Sequence, residues 1–214
     1  MAKLYFNYST MNAGKSTLLL QAAHNYRERG METYLITAQF DNRAGEGRIA
    51  SRIGIGDPAD TFAPGEDMYA KLKARIALGP LSCVFIDEAQ FLSKEQVWQL
   101  ACAVDDLSVP VMCYGLRVDF QGQLFPGSAA LLAWADEMRE VRTICHCGKK
   151  ATMVVRKGPD GQALRDGDQV VIGGNETYVS LCRRHWREAV GDQAGRSSGR
   201  AALFAAPGEE SRQA

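Results

Sequence analysis

The sequence predicts an α/β fold, in which a parallel sheet is flanked by helices and followed by a small β-rich unit. Short apolar segments alternate with longer segments of helical periodicity over residues 1–143, as in parallel sheets with right-handed crossovers. From Cys145 onward, short β-rich segments separated by Gly-rich turns replace this alternation. We therefore predict a larger α/β domain over residues 1–143 and a small domain over residues 144–190.

The first elements of the chain follow this alternation. Residues 3–8 (KLYFNY) are apolar and aromatic and predict a buried first strand. Residues 14–29 carry apolar side chains at helical spacing and are followed by glycine, so they predict the first helix. Residues 32–38 (ETYLITA) predict a second strand. Residues 41–64 are rich in Gly, Asp, Arg and Ala, and they predict a functional or mobile loop with some local helix.

The remaining elements continue in the same order. Residues 66–78 predict a helix, and residues 81–86 (LSCVFI) predict a short apolar strand that leads into Asp87 and Glu88. Further predicted elements are a helix over 94–104 with Ser93 as N-cap, strands over 109–114 and 140–144, a helix over 127–138, and strands over 151–157, 169–172 and 178–182. Residues 191–214 have little to bury and predict a disordered tail.

Composition limits the class of protein. Lys plus Arg and Asp plus Glu each number 25, and the resulting net charge of zero argues mildly against duplex DNA or an anionic membrane as partner. No apolar run is long enough to span a bilayer, and residues 1–6 lead straight into a strand without the pattern of a signal peptide. We therefore expect a cytoplasmic protein whose six cysteines are reduced or metal-bound rather than disulfide-linked.

A phosphate-binding loop is predicted between the first strand and the first helix. Residues 9–16 read STMNAGKS and match the P-loop pattern G-x-x-x-x-G-K-[ST], except that Ser9 replaces the first glycine. An ordinary β conformation at this position would accommodate serine. The predicted phosphate-binding residues are Ser9, Thr10, Met11, Asn12, Ala13, Gly14, Lys15 and Ser16. Lys15 would reach the β- and γ-phosphates, and the Ser16 hydroxyl would bind Mg²⁺. The competing interpretation is a chance Gly-Lys-Ser at a helix start.

An acidic pair follows the apolar strand near residue 86. A carboxylate at this place is the Walker B arrangement, so Asp87 is expected to hold Mg²⁺ beside the P-loop. Glu88 could then take a proton from a nucleophile. The alternative is a solvated Asp-Glu pair that closes the strand. The order of the two motifs, P-loop first, favours a nucleotide site.

A metal site is predicted in the small domain. Cys145 and Cys147 precede the β-rich segments, and Cys182 and His185 follow them. Three thiolates and one imidazole provide the four ligands of a closed tetrahedral zinc site, which is structural because no position is open. His146 is a competing ligand, and unrelated cysteines and histidine are the alternative to any metal site.

Together these motifs resemble the type II thymidine kinases, most closely the bacterial ones, over residues 3–189. The resemblance rests on Tyr8–Ser16 with its non-glycine first position, on Asp87–Phe91, on Tyr114-Gly115-Leu116 with Phe120 and Phe125, and on residues 170–178 (VVIGGNETY) before Cys182. It implies transfer of the ATP γ-phosphate to the 5′-hydroxyl of thymidine, in deoxynucleotide salvage. It also implies a structural Zn²⁺, Mg²⁺ with ATP, a homotetramer, and feedback inhibition by thymidine triphosphate.

The resemblance also assigns roles to residues of this chain. It makes Glu88 the general base, Asp87 and Ser16 the magnesium-linked residues, and Lys15 and Arg52 phosphate-binding residues. The substrate-binding residues that it implies are Leu116, Phe120, Phe125, Val171, Ile172, Gly173, Gly174 and Tyr178, of which the last five belong to a segment that closes over the base. Without the resemblance, Arg52 could be a solvated charge, and the apolar and aromatic residues could be ordinary core.

Two functions of other classes remain open at this point. A nucleic-acid-stimulated P-loop ATPase would also carry Asp87-Glu88-Ala89-Gln90, but this chain is too short for two motor domains and shows no arginine-rich motor motif. A non-catalytic zinc-binding module with a vestigial nucleotide fold is the second.

If the chain is a thymidine kinase, we expect weaker phosphorylation of deoxyuridine than of thymidine, because the two differ by one methyl group.

Overall fold

A computed structural model describes residues 1–41, 45, 47–169 and 177–191. Its central sheet has six strands in the order β5-β2-β6-β7-β1-β8, and all neighbours are parallel. These strands are β1 (Leu4–Ser9), β2 (Thr33–Ala38), β5 (Asp60–Phe62), β6 (Cys83–Ile86), β7 (Val111–Leu116) and β8 (Glu137–Glu140). The predicted α/β class with a parallel sheet is confirmed.

Helices cover both faces of the sheet: α1 (Lys15–Arg27), α2 (Met68–Ala77), α3 (Lys94–Leu107) and α4 (Pro126–Trp134). Side chains of a strand alternate between faces. In β6, Cys83 and Phe85 pack with residues of α1, whereas Val84 and Ile86 pack with residues of α2, α3 and α4. A strand buried on both faces reads as an unbroken apolar run, as CVFI does.

The boundaries of several helices follow from local sequence. Ser93 caps α3: its hydroxyl accepts from the Gln96 amide at 3.1 Å, and the Gln96 side chain accepts from the Ser93 amide at 3.0 Å. This reciprocal capping box confirms Ser93 as the N-cap. Asp67 caps α2 in a similar way, through the amide of Ala70.

Two predictions about the larger domain are wrong. The described part of residues 41–64 contains no helix. It forms the antiparallel pair β3 (Arg48–Ala50) and β4 (Gly56–Pro58), and β5 extends the main sheet. The helix predicted over 127–138 ends at Trp134, because the chain turns there to pair β8 with β1. The strand predicted over 140–144 correspondingly starts earlier, as β8, and the chain returns to strand as β9 (Thr143–Ile144).

The small unit that follows is β-rich, with strands β9 (Thr143–Ile144), β10 (Lys150–Ala151), β11 (Met153–Arg156) and β12 (Tyr178–Leu181). They form two antiparallel pairs, β9 with β10 and β11 with β12. Helix α5 (Arg183–Val190), which was not predicted, buries Trp186 and Val190 against these strands. Most of the strand predicted over 169–172, and the predicted tail beyond residue 191, lie outside the described residues.

In the described part of the chain, no helix has both the length and the apolar character required to cross a membrane.

Candidate functional site

Three parallel strands end at the same edge of the sheet and bring the predicted motifs together. β1 leads into the P-loop, β6 leads into Asp87, and β7, which lies between them, ends at Leu116. The carboxyl edge of a parallel sheet is the usual location of a ligand site. The chemistry predicted from separate parts of the sequence therefore meets at one place.

The loop accommodates Ser9 because the strained backbone positions lie elsewhere. Ser9 is the last residue of β1, and its hydroxyl donates to the carbonyl of Val141. Positive φ values occur at Asn12 (61°) and Gly14 (83°). Glycine adopts this region without a steric penalty. The predicted β conformation at position 9 is confirmed.

The loop residues divide into two groups. Met11, Asn12, Ala13, Gly14, Lys15 and Ser16 line a cavity of about 470 Å³ at the sheet edge. Ser9 and Thr10 are not part of the cavity lining; they are buried, with 6% and 3% of their surfaces exposed. The Thr10 hydroxyl donates to the Met153 carbonyl of β11 at 3.1 Å, so the loop is joined directly to the small unit.

The side chains of Lys15 and Ser16 are held in place within the loop. Lys15 is 9% exposed as a residue, and its ammonium donates to the Thr10 carbonyl at 3.0 Å. The Ser16 hydroxyl donates to Asp87 Oδ2 at 2.7 Å. Burial of Asp87, with the neighbouring Glu88 charge, raises its pKa to about 7, although the Ser16 hydrogen bond acts in the opposite direction. A hydroxyl and a carboxylate in contact are the type of oxygen ligands that Mg²⁺ prefers.

Glu88 follows Asp87 with a left-handed backbone (φ 53°) and lines the same cavity. The Gln90 amide group donates to Glu88 Oε2, and its oxygen accepts from the Leu116 amide at 2.9 Å. Gly115 permits this approach, because a Cβ there would lie 2.9 Å from Gln90 Oε1. Gln90 therefore fixes the Glu88 carboxylate relative to the end of β7.

The predicted substrate residues form the other part of the cavity lining. Leu116, Phe120, Phe125 and Tyr178 all line it, together with Arg52 from the β3–β4 turn. Phe120 and Phe125 are 1% and 4% exposed, so they are also part of the packed interior. The predicted substrate residues Val171, Ile172, Gly173 and Gly174 lie outside the described residues.

Sequence reasoning missed several residues of the site. Asp119 lines the cavity, is 3% exposed, and accepts from the Gln169 side chain at 2.8 Å and from the amides of Gln121 and Gln123. Phe91 packs edge-on against Phe125, with centroids 5.9 Å apart. An acidic residue between apolar neighbours, as in Val118-Asp119-Phe120, was the one signal available for Asp119.

The predicted zinc ligands converge in the small unit. The ligand atoms of Cys145, Cys147, Cys182 and His185 lie within 4.8 Å of one another. The Sγ atoms of Cys147 and Cys182 are 3.9 Å apart, and His185 Nδ1 is 3.3 Å from Cys145 Sγ. A tetrahedron with Zn–S bonds of about 2.3 Å has S–S edges of about 3.8 Å, so the four groups fit this metal.

His146, the competing ligand, is placed differently. Its ring stacks on that of His185, with centroids 4.3 Å apart and an interplanar angle of 28°. Burial opposes ionisation of Cys145, but amide hydrogen bonds at Cys147 and Cys182 outweigh it, and the pKa of Cys145 falls to about 6. A thiolate is the form of cysteine that binds metal. His146 Nδ1 lies 3.7 Å from Cys145 Sγ, but the group of four ligand atoms within 4.8 Å of one another is formed by Cys145, Cys147, Cys182 and His185.

Comparison with known proteins shows the family of this chain. The family model described as thymidine kinase matches residues 2–186. The thymidine kinase of Ruegeria pomeroyi is 74% identical over 192 residues, which cover 90% of this chain and 97% of that protein. The thymidine kinase of Jannaschia sp. is 72% identical, over 90% of this chain and 98% of that protein. The thymidine kinase of Yersinia pseudotuberculosis is 56% identical, over 89% of this chain and 97% of that protein. This chain therefore belongs to the thymidine kinase family.

Proposed function

We propose that this chain transfers the γ-phosphate of ATP to the 5′-hydroxyl of thymidine, giving thymidine monophosphate for pyrimidine deoxynucleotide salvage. One observation carries the proposal: the P-loop and Asp87 line the same cavity as Leu116, Phe120 and Phe125. Phosphoryl transfer depends on positioning and charge neutralisation more than on covalent chemistry, and such a cavity can provide both. Family membership supports the same reaction.

The phosphate side of the cavity would bind ATP with Mg²⁺. The loop amides of residues 9–16 and the N-terminus of α1 form a positive environment for the β- and γ-phosphates, and Lys15 adds its charge. Ser16 and Asp87 would hold the metal, which would supply positive charge beside the phosphates. Arg52 would contact the transferring phosphate from the β3–β4 turn.

Glu88 would act as the general base that takes the proton of the 5′-hydroxyl. It is adjacent to the proposed magnesium ligand Asp87, and Gln90 holds its carboxylate toward the end of β7. A base must lie within hydrogen-bond reach of the proton that it removes, so this orientation supports the role.

The nucleoside side would contain the thymine base and the sugar. Leu116, Phe120, Phe125 and Tyr178 would surround them, and Val171, Ile172, Gly173 and Gly174 would close over the base with backbone hydrogen bonds. A site that reads hydrogen-bonding edges rejects cytosine strongly, whereas the missing methyl of uracil is worth a few kcal/mol at most. Deoxyuridine would therefore be a weaker substrate and deoxycytidine a very poor one.

The remaining assignments extend the proposal to the metal, the assembly and the regulation. Zn²⁺ on Cys145, Cys147, Cys182 and His185 would be structural and would hold together the two ends of the excursion between β10 and β12. We also propose that the protein is a cytoplasmic homotetramer and that thymidine triphosphate inhibits it. Neither nucleic acid nor a membrane is a proposed partner.

The first experiment measures phosphate transfer from ATP and Mg²⁺ to thymidine, deoxyuridine, deoxycytidine and no nucleoside. We expect thymidine monophosphate to form rapidly, deoxyuridine to react more slowly and deoxycytidine to be inert. ATP consumption that is equal with and without nucleoside would contradict the proposal, and stimulation by nucleic acid would then be tested.

Replacing Glu88 with glutamine tests the general base. We expect Glu88→Gln to lower kcat by about 10²–10⁴-fold, the usual contribution of proton transfer, with ATP affinity unchanged. Glu95→Gln is the matched control, because Glu95 is an exposed glutamate in the first turn of α3. Equal kcat values for the two variants would remove Glu88 from the proposed role.

A further inference from the structure

Trp186 connects the zinc-bearing unit to two segments that line the cavity. It follows the predicted ligand His185 on α5 and is 8% exposed. Its indole N–H donates to the carbonyl oxygens of Phe120, at 3.1 Å, and Val154, at 3.0 Å. Both residues line the cavity, whereas Trp186 is outside its described lining. The indole therefore joins two parts of the cavity from behind.

Arg156 contacts Phe120 through its side chain. Its guanidinium carbon lies 4.1 Å from the centroid of the Phe120 ring, and the residue is 7% exposed. One terminal nitrogen donates to the Asp168 carbonyl at 2.8 Å, but Nε has no hydrogen-bond partner among the described residues. Burying a partly bonded cation is costly, so attraction to the ring face is an important compensation.

The two contacts hold the same residue in different ways. Trp186 fixes the backbone of Phe120, and Arg156 packs on its ring, so the position of this ring depends on β11 and α5. Trp186 also packs closely against the turn that follows Phe120: a Cβ on Gly122 would lie 3.2 Å from the Trp186 ring. Small changes in either contact are expected to move the ring relative to the cavity.

We propose that Trp186 and Arg156 are positioning residues that hold Phe120 in the wall of the nucleoside pocket, so that the zinc-bearing unit sets nucleoside affinity. This inference rests on the proposed function, because it takes thymidine as the ligand on the Phe120 side. ATP would bind at the P-loop side of the cavity, whereas the indole N–H of Trp186 and the guanidinium of Arg156 act on Phe120 and Val154.

The test compares Trp186→Phe with a control on the same helix. Phenylalanine keeps an aromatic ring but removes the N–H donor. Val190→Ala removes apolar volume from the same cluster without affecting a hydrogen bond to the cavity wall. For Trp186→Phe we expect KM for thymidine to rise about three- to tenfold, the equivalent of about one neutral hydrogen bond. KM for ATP, kcat and zinc content should stay near wild type in both proteins.

Arg156→Met is the second variant, since methionine keeps much of the length of arginine without its charge. It should raise KM for thymidine selectively, and Arg156→Lys should restore part of the affinity because it retains a cation near the ring. In a Phe120→Leu background, Arg156→Met should have little further effect, since the ring through which it acts is absent.

Several outcomes would overturn the inference. These are KM values for thymidine and ATP that rise together, a rise that Val190→Ala reproduces, and loss of zinc in Trp186→Phe or Arg156→Met. A positioning residue that acts through Phe120 leaves the metal site intact. An inactive wild type in the same assays would instead count against the proposed function, so the two failures are distinguishable.

Discussion

At the scale of single residues, the non-glycine start of the P-loop has a simple physical explanation. Ser9 is still part of β1, where any residue is accommodated, and its hydroxyl is satisfied by the Val141 carbonyl. The left-handed positions are Asn12 and Gly14, and asparagine and glycine are the residues that tolerate them best. The departure from the motif thus leaves the backbone of the loop free of added strain.

Because the pKa of Asp87 is raised, we expect the stability of the magnesium-free protein to depend on pH. Its folded pKa of about 7 lies above the unfolded value of about 4, so its contribution to stability is present below pH 4 and is lost as the pH rises to 7. Asp87→Asn lacks this ionisation. We expect the melting temperature of the variant to increase relative to wild type between pH 4 and 7, measured by thermal unfolding in magnesium-free buffer.

The comparison between wild type and Asp87→Asn removes the ionisation of Asp87 together with its interaction with the neighbouring Glu88 charge, whereas distant titrations are common to the two proteins. Asparagine can still accept the hydrogen bond of Ser16, so the contact at 2.7 Å is a weak source of difference. A difference in melting temperature that is constant across this range would contradict the raised pKa.

At the scale of elements, the helix starts depend on a few side chains. The capping box of α3 satisfies the amides of both Ser93 and Gln96, and the same Gln96 side chain also donates to the carbonyls of Ala63 and Glu66. Gln96 is 2% exposed, so these bonds are made away from water. The start of α3 is therefore connected to the segment that precedes α2.

Replacing Ser93 with alanine should weaken this start without affecting the chemistry. We expect Ser93→Ala to lower the free energy of unfolding by about 1 kcal/mol, the usual value of an N-cap, while kcat and both KM values remain unchanged. For a chain of this length the melting temperature should fall by roughly 2–4 °C. Ser93→Asp is the control, since aspartate also caps helices, and equal stabilities of the two variants would contradict the capping role.

At the scale of the whole molecule, two units share one cavity. The larger unit contributes the P-loop, Asp87 and Glu88, and the small unit contributes Val154 and Tyr178. Direct hydrogen bonds join them: Thr10 donates to the Met153 carbonyl, and Ser180 donates to the Met11 carbonyl at 2.6 Å. A metal that stabilises the small unit should therefore influence ligand binding at the shared cavity.

Replacing a proposed zinc ligand tests this connection. We expect wild type to contain one zinc per chain. Loss of a residue that only hydrogen-bonds to a metal ligand typically lowers metal affinity by about 10–100-fold, and we expect Cys147→Ser, which would remove a ligand itself, to lower zinc affinity by more than this. Because metal binding contributes to folding, the melting temperature should also fall, and thymidine affinity should fall more than ATP affinity. Metal analysis, thermal unfolding and binding titrations measure the three effects.

Cys102→Ser is the matched control for this experiment, because Cys102 lies on α3 and is not part of the metal cluster. It should retain its zinc and its affinity for thymidine. Zinc content that is the same in Cys147→Ser and in wild type would exclude Cys147 as a ligand.

The sequence by itself determined what depends on residues close together in the chain. The strand-loop-helix around Lys15, the strand that ends at Asp87 and the cap at Ser93 were predicted because local periodicity and capping chemistry define them. The four residues of the metal cluster were recognisable because zinc requires a particular set of ligand types. The roles of the base-pocket residues came from family resemblance and stay predictions.

Only the tertiary structure decided which distant groups meet. β5 and β8 are short strands at the edges of the sheet, and pairing with β2 and β1 defines them more than their own sequences do. Gln90, Asp119 and Trp186 acquire their importance from partners that include groups 26, 50 and 66 residues away. Such contacts leave no periodic signal in the sequence, because long-range packing and the need to satisfy buried polar groups create them.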